Sequence, residues 1–126
     1  MPALLRSLAN ATYARVTVAT ARTATYSGTA FDSAAYDGTV KFLLDVGAVT
    51  GTSPTCDFKI THSDTSGGTY TDVTGATASQ ITATGIREIN VDIGAAKQFL
   101  KVTGTIAGTT PSFTISEAIV GQKKYQ

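Results

Sequence analysis

The chain carries little charge, a single cysteine and no tryptophan. Only 15% of its 126 residues are charged, against about 25% in a typical soluble domain, and the net charge is +1. A balance this close to neutral argues against a nucleic-acid partner, because DNA- and RNA-binding domains usually carry a basic face. The lone Cys56 excludes both a disulfide within the chain and a zinc site built from several of its cysteines.

Long apolar runs are also missing. No stretch approaches the roughly 18 apolar residues that a membrane-spanning helix needs. Arg6 interrupts the apolar start of the chain, so we predict no secretion signal and expect the protein to be made and to mature in a cytoplasm. Threonine, alanine, glycine and serine replace the missing charge. Threonine is β-branched and suits a pleated, half-exposed surface, so the composition favours strands.

Alternating apolar and polar residues predict six or seven short strands. The clearest spans residues 39–49, which place Val40, Phe42, Leu44 and Val46 on one face. Further strands are predicted at residues 13–20, 56–63, 70–73, 87–93, 98–106 and 112–120. Turns are predicted at "TGTSPT", which contains Gly51 and Pro54, and at "AGTTP". We therefore predict an all-β fold, an antiparallel β-sandwich or jelly roll in a single domain.

The N-terminal region has a less regular pattern. Residues 1–13 fit either a short helix or a flexible arm, and residues 21–37 fit an extended arm or long loop. We accordingly divide the chain into an N-terminal arm with the first strand, residues 1–37, and a β-sandwich core with a short C-terminal tail, residues 38–126. The aromatic residues of the arm are predicted to anchor it to a neighbouring surface, namely Tyr26, Phe31 and Tyr36.

The most polar stretch, "THSDTSGGTYTDVTG", contains the only histidine, His62, and resembles an active-site loop at first sight. Cys56 cannot pair with His62 within one strand, because six residues of strand span about 20 Å. Adjacent residues such as His62 and Ser63 point to opposite faces, which excludes a local catalytic triad. We predict a structural turn, with Gly67 and Gly68 supplying dihedral angles that β-branched residues resist.

The remaining tests for chemistry are negative. Asp57, Asp64 and Asp72 could offer oxygen ligands to calcium, but they lack the order of a calcium-binding loop, and we expect Asp64 and Asp72 to accept hydrogen bonds from turn amides. No phosphate-binding glycine motif occurs. We expect no enzymatic activity, no catalytic residue, no cofactor and no bound metal.

Two long segments resemble small structural proteins of tailed bacteriophages. The first is "FDSAAYDGTVKFLLDVGAVTGTSPTCDFKITHSDTSGGTYTDVTGAT", and the second is "FLKVTGTIAGTTPSFTISEAIVGQKK". The shared pattern is a Val/Phe strand ending in glycine, a strand closing on "HSD", a "GGTYTDV" turn and "LKVTGTIAGTTPSF" before the last strand. In head decoration (capsid cement) proteins this arrangement accompanies a position on the capsid exterior. The resemblance covers residues 31–124 and consists of strand and turn signatures.

The resemblance implies a virion protein that binds the outside of the assembled capsid and stabilises it. Its partners would be the major capsid protein and further copies of itself, in a dimer or trimer, without nucleic acid or membrane. Candidate partner contacts are Tyr26, Phe31, Tyr36, Lys123, Lys124 and Tyr125. The alternatives are another virion component, such as a tail-tube or tail-terminator protein, and a carbohydrate-binding β-sandwich module. The absence of tryptophan counts against the last of these.

Overall fold

The computed structural model describes residues 11–123, and these form strands and loops without a helix. The strands are β1 (Ala11–Arg22), β2 (Tyr26–Ser27), β3 (Phe31–Asp32), β4 (Tyr36–Ser63), β5 (Thr71–Thr77), β6 (Gly85–Asp92) and β7 (Phe99–Lys123). Every strand pairing is antiparallel. The predicted all-β, antiparallel class is therefore confirmed. No helix in the described part is long and apolar enough to cross a membrane.

Two long strands, β4 and β7, organise the sheet by pairing with each other along their whole length. Tyr36 lies opposite Lys123 at one end, and Ser63 lies opposite Phe99 at the other. The sequence predicted turns at "TGTSPT" and "AGTTP", each separating two strands. Both predictions are wrong, because the two segments face each other and continue the ladder, with Thr52 opposite Thr109. The backbone groups of each segment form hydrogen bonds with those of the other, so neither segment has to reverse the direction of the chain.

The middle of this ribbon is nevertheless irregular. Its register shifts between Val46 and Thr55, and the two strands contain positive φ angles there at Gly51, Ser53, Gly108 and Thr110. Such φ values are rare outside glycine and mark points where an extended strand changes direction. The residues that suggested turns thus produce a bend shared by two paired strands.

The bend divides the sheet into two parts. The first half-sheet contains β1, residues 112–123 of β7, residues 36–50 of β4, and β6, in that order. The second half-sheet contains β2 and β3 beside residues 99–109 of β7, followed by residues 52–63 of β4 and by β5. One core cluster joins both halves, for example Phe42 and Leu44 with Phe58 and Ile60.

The predicted core alternation is confirmed. Val40, Phe42, Leu44 and Val46 are fully buried, and in β6 Ile89 and Val91 are buried while their neighbours in the strand are exposed. The alternation fails at the end of β4, where Thr61 and Ser63 are buried in addition to Ile60, and in β7, where Glu117, Ala118 and Ile119 are buried in succession. β4 keeps a regular register with β7 from Thr55 to Ser63, so Thr61 and Ser63 lie on the face opposite to that of Ile60 and are buried there.

The N-terminal region lies along β7. Residues 11–13, predicted as helix or flexible arm, belong to β1, whereas residues 1–10 lie outside the described part of the chain. Residues 21–37 contain the two short strands β2 and β3, so part of the predicted arm is sheet. β1 supplies Ala14 and Val16 to the periphery of the core. The division into domains at residue 37 stays a prediction.

Candidate functional site

The polar stretch from Thr61 to Gly75 forms the connection between β4 and β5. Thr61 lies opposite Asp72 and His62 opposite Thr71, so the two strands pair directly on either side of the loop. The Gly68 N–H donates to the Thr65 carbonyl at 3.1 Å, and the Tyr70 hydroxyl donates to the Ser66 carbonyl at 2.8 Å. These contacts close the loop on itself, as expected for a structural turn.

Two details of this loop differ from the prediction. Neither Gly67 nor Gly68 has a positive φ, so the loop does not use glycine for its dihedral freedom. A Cβ at Gly68 would instead collide with the side-chain oxygens of Thr65 and Ser63, while a Cβ at Gly67 would meet nothing. Position 68 therefore requires glycine because a larger side chain would not fit there.

The aspartates of the loop also act differently from the prediction. Asp72 forms an ion pair with Lys59 at 2.9 Å, and Asp64 forms a longer one with Lys97 at 3.9 Å. The prediction that they bind turn amides is wrong, because their partners are Lys59 in β4 and Lys97 in the loop before β7. Asp57 accepts hydrogen bonds from Gln80 instead. Within residues 11–123, no group of three or more His, Cys, Asp or Glu side chains could hold a metal ion.

Cys56 and His62 take part in separate contacts. Cys56 is fully buried, and burial raises the pKa of its thiol to about 12, with a smaller contribution from the charge of Asp57. A nucleophilic cysteine needs the opposite environment. His62 accepts a hydrogen bond through Nδ1 from the backbone N–H of Lys97 at 3.1 Å. Its ring thereby fixes the loop that precedes β7.

The three aromatic residues predicted to anchor the arm pack within their own chain. Tyr36 is buried in the core, and the ring of Phe31 lies 5.1 Å from that of Tyr36 and 6.0 Å from that of Phe42. Tyr26 covers Gly104, where an added Cβ would come within 2.5 Å of its ring. These rings anchor the N-terminal segment to β7 and β4. Their contact with a partner stays a prediction.

The C-terminal candidates lie at the limit of the described chain. The backbone of Lys123 pairs with that of Tyr36 at the end of β7. Lys124 and Tyr125 lie outside the described residues. The predicted contact of this tail with a partner is therefore untested.

A buried acid that the sequence reasoning missed lies beneath the N-terminal segment. Glu117 is only 1% exposed, and its carboxylate accepts hydrogen bonds from the Tyr26 hydroxyl at 2.9 Å and from Thr17 Oγ1 at 3.2 Å. Burial raises its pKa, and the two hydrogen bonds and the nearby Arg22 offset part of that rise. The guanidinium of Arg22 lies 4.3 Å from the centre of the Tyr26 ring.

The signal for Glu117 was present in the sequence. In "SFTISEAIV" the core residues Phe113, Ile115 and Ile119 alternate, and Glu117 occupies the position between the last two on the same face. An acid at an inward position of a strand predicts a buried carboxylate that needs partners. The identity of those partners could not be read from the pattern, because Thr17 and Tyr26 are about a hundred residues away in the chain.

The outer face of the first half-sheet forms a shallow groove of about 520 Å³. Its floor consists of Leu43, Asp45, Ser116 and Ala118, and its borders are formed by β1 and β6. Among residues 11–123 the exposed large hydrophobic side chains are Tyr13, Val18 and Ile86, and Tyr13 and Ile86 border this groove. Exposed apolar side chains grouped on one face are typical of binding surfaces. The groove is therefore the best-formed candidate for an interaction site.

No protein-family model matches the chain, and no curated protein matches it in sequence. Solved structures resemble it to different degrees. The SPBc2 prophage-derived protein YomS has a TM-score of 0.50 and 19% identity, over 88% of this chain and 95% of that one. FLHE (TM-score 0.38, 8% identity) covers 92% of this chain and 99% of its own. The CBM36-1 domain of a multidomain xylanase from the hindgut metagenome of Trinervitermes trinervoides has a TM-score of 0.40 and 12% identity. The match covers 89% of this chain and 97% of that domain. The likeness to YomS identifies a common fold, and the other two are too distant to carry an argument.

Proposed function

We propose that the chain is a bacteriophage structural protein that binds the outside of the assembled capsid and stabilises it. The observation that carries the proposal is the fold shared with a prophage-derived protein along 88% of the chain. The strand and turn pattern of residues 31–124, which resembles head decoration proteins, supports the same assignment independently of that fold. The protein would be made in the cytoplasm of the bacterial host and would lie on the exterior of the virion.

The architecture that suits this role is a β-sandwich, with the two half-sheets packed face to face. Two observations support it: the shared bend in β4 and β7, and the single core cluster to which both half-sheets contribute. A sheet that buries one face in a single core must fold over on itself, since each strand has only one inward set of side chains. The outer faces are then free to contact other molecules.

The mechanism would be binding and not catalysis. A protein that binds the assembled shell, and not its free subunits, stabilises the shell by mass action. Many copies that each make modest contacts can together stabilise a shell strongly. The tail from Lys123 to Tyr125 remains a candidate for such contacts, whereas the aromatic residues Phe31 and Tyr36 are largely used within the chain.

The test is quantitative mass spectrometry of purified virions that carry this protein. We expect a copy number comparable to that of the major capsid protein, together with release of the protein when shells are disassembled. A small copy number in ring-like multiples would assign it to the tail, as a tube or terminator protein. Complete absence from virions would overturn the viral assignment.

A carbohydrate-binding module is the second candidate, and the groove with its exposed Tyr13 ring favours it. The exposed fraction of the Tyr13 side chain is 65%, so the ring could stack against a sugar. A glycan array probed with the full chain separates the candidates. Binding that is lost on Tyr13→Ala would support the carbohydrate function, and a silent array would exclude it for the glycans displayed.

A further inference from the structure

A single row of side chains crosses the outer face of the first half-sheet. Arg15 in β1 lies opposite Ala118 in β7, Ala118 lies opposite Leu43 in β4, and Leu43 lies opposite Glu88 in β6. Because the side chains of cross-strand partners lie on the same face, these four residues point outward together. From β1 to β6, the row therefore consists of a cation, a small apolar residue, a large apolar residue and an anion.

We infer that this outer face is the interface between two copies of the chain. A two-fold axis that is parallel to the strands and lies in the interface places β1 of one copy over β6 of the other. The same row then reads in reverse in the partner, so that each Arg15 faces a Glu88 and each Leu43 faces an Ala118. A symmetric interface has to be self-complementary in this way, because both copies contribute the same surface.

The charges in this row favour that arrangement. Arg15 is exposed and has no ion pair or hydrogen bond within residues 11–123. Glu88 uses Oε2 to contact Lys41 at 3.3 Å, which leaves Oε1 for a second cation. Each dimer would contain two Arg15–Glu88 pairs related by the two-fold axis. Complementary charges at both borders would also fix the register of the two sheets.

The apolar residues of the face supply the remaining contacts. Tyr13 is 65% exposed and Ile86 is 61% exposed, and both flank the row on neighbouring positions. Ala118 is small and leaves space for the partner's Leu43, while Ser116, which pairs with Asp45 in β4, faces the partner's Asp45 and can donate its hydroxyl to that carboxylate. Strand spacing and rise give the four-stranded face a projected area of roughly 500 Å². This is below the roughly 800 Å² per partner of a standard interface, so we expect a weak dimer.

This inference rests on the self-association included in the proposed function and specifies the surface involved. The test uses free protein, so that its failure can be told apart from failure of the capsid assignment. Sedimentation equilibrium of the full chain, from a few micromolar to roughly 500 µM, measures the dimer dissociation constant. The charge-reversal variants are Arg15→Glu, Glu88→Arg and the double variant, and circular dichroism checks that each is folded.

We expect each single reversal to weaken the dimer at least about tenfold, because it places like charges together at both symmetry-related borders. The double variant reverses both partners and should restore the wild-type dissociation constant to within about threefold. Lys97→Glu is the matched control, since it reverses an exposed cation that lies outside the first half-sheet and should leave dimerisation unchanged.

Three outcomes would overturn the inference. The first is a monomer throughout this concentration range. The second is a dimer that both single reversals leave intact. The third is a double variant that is no tighter than the single ones, which would mean that Arg15 and Glu88 do not contact each other across the interface. If the protein is a monomer and Leu43→Ser abolishes its binding to shells, the face belongs to the capsid contact instead.

Discussion

At the scale of single residues, Glu117 shows how this chain holds an acid in its core. The carboxyl group lies on the inward face of β7, where Tyr26 and Thr17 donate hydrogen bonds to it. Both donors belong to the N-terminal segment, so the acid connects that segment to β7. A buried polar group without partners costs free energy, and the cost is avoided only when the N-terminal segment is in place.

The first prediction concerns pH. Because burial raises the pKa of Glu117, this carboxyl group stays protonated to a higher pH in the folded protein than in the unfolded chain. Glu117 makes its full contribution to stability below its pKa in the unfolded chain, which is about 4.5. This contribution is lost as pH rises through the pKa of Glu117 in the folded protein. The glutamine of Glu117→Gln does not titrate. As pH rises from 4.5, the unfolding free energy of the wild type should therefore fall relative to that of the variant. Urea unfolding across this range measures the difference.

Other acids titrate equally in both proteins and cancel from this comparison. Parallel pH profiles for wild type and Glu117→Gln would contradict the prediction. Tyr26→Phe removes one hydrogen bond to the Glu117 carboxyl group and should cost about 1–2 kcal/mol.

The second prediction concerns Cys56. Its thiol is fully buried and its pKa is raised to about 12, so both access and ionisation oppose its reaction. We expect a thiol reagent at pH 8 to leave the folded protein unmodified while labelling it completely in denaturant. The extent of labelling is read by mass spectrometry. Rapid labelling of the folded protein would show that the strand opens locally.

At the scale of elements, the bend that β4 and β7 share depends on two glycines. Gly51 has a φ of 112° and Gly108 a φ of 120°, and an added Cβ at either would come within 3 Å of backbone atoms of the opposite strand. The two strands therefore approach closely at the point where they turn together. Only glycine can adopt a positive φ at these positions and also fit so close to the backbone of the opposite strand.

The third prediction compares two glycines of positive φ. Gly108→Ala should destabilise the protein by about 3 kcal/mol or more, because strain in the backbone adds to a collision with the chain opposite. Gly38→Ala is the control, since its φ is 73° and a Cβ there meets nothing within 4 Å. It should cost only about 1 kcal/mol. Chemical denaturation measures both, and equal costs would contradict the role of the bend.

The fourth prediction concerns the loop between β4 and β5. Gly68→Ala forces the hydroxyls of Thr65 and Ser63 apart and should break the hydrogen bond from Thr65 N–H to Ser63 Oγ, at a cost of about 1 kcal/mol. Gly67→Ala meets open space and should be neutral or slightly stabilising. Thermal melting of the pair tests this, and the reverse order of stability would show that dihedral freedom matters after all.

At the scale of the whole molecule, β1 is part of the sheet and not an accessory to it. It pairs with β7 from Ala11 to Arg22 and supplies Thr17 to the buried carboxylate. Its outer side chains also border the groove. The same strand thus contributes to the core, to the site of Glu117 and to the proposed dimer interface.

The fifth prediction separates these roles by truncation. Removing residues 1–10 leaves β1 intact and is the control for the longer deletion. Removing residues 1–22 exposes the edge of β7 and leaves Glu117 without Thr17, so we expect a chain that unfolds far below the wild-type midpoint or aggregates. Calorimetry measures both. A stable product of the longer deletion would show that β1 is a separable arm.

The sequence by itself determined the class of fold and most of the core. Alternation is a local property of a strand, and it correctly placed Phe42 and Leu44 in β4 and Ile89 in β6 on the buried face. The same pattern argued against a catalytic triad formed by His62 with its neighbours in the chain, because neighbours in a strand point apart. It also contained the inward position of Glu117, although not the residues that bind it.

The tertiary structure alone decided which segments meet. Residues that look like turns in isolation, around Gly51 and Gly108, become a shared bend once β4 and β7 pair, because long-range hydrogen bonds replace those of a hairpin. The row from Arg15 to Glu88 joins four strands that are distant in the chain. Its self-complementary order depends on strand register, which periodicity does not encode.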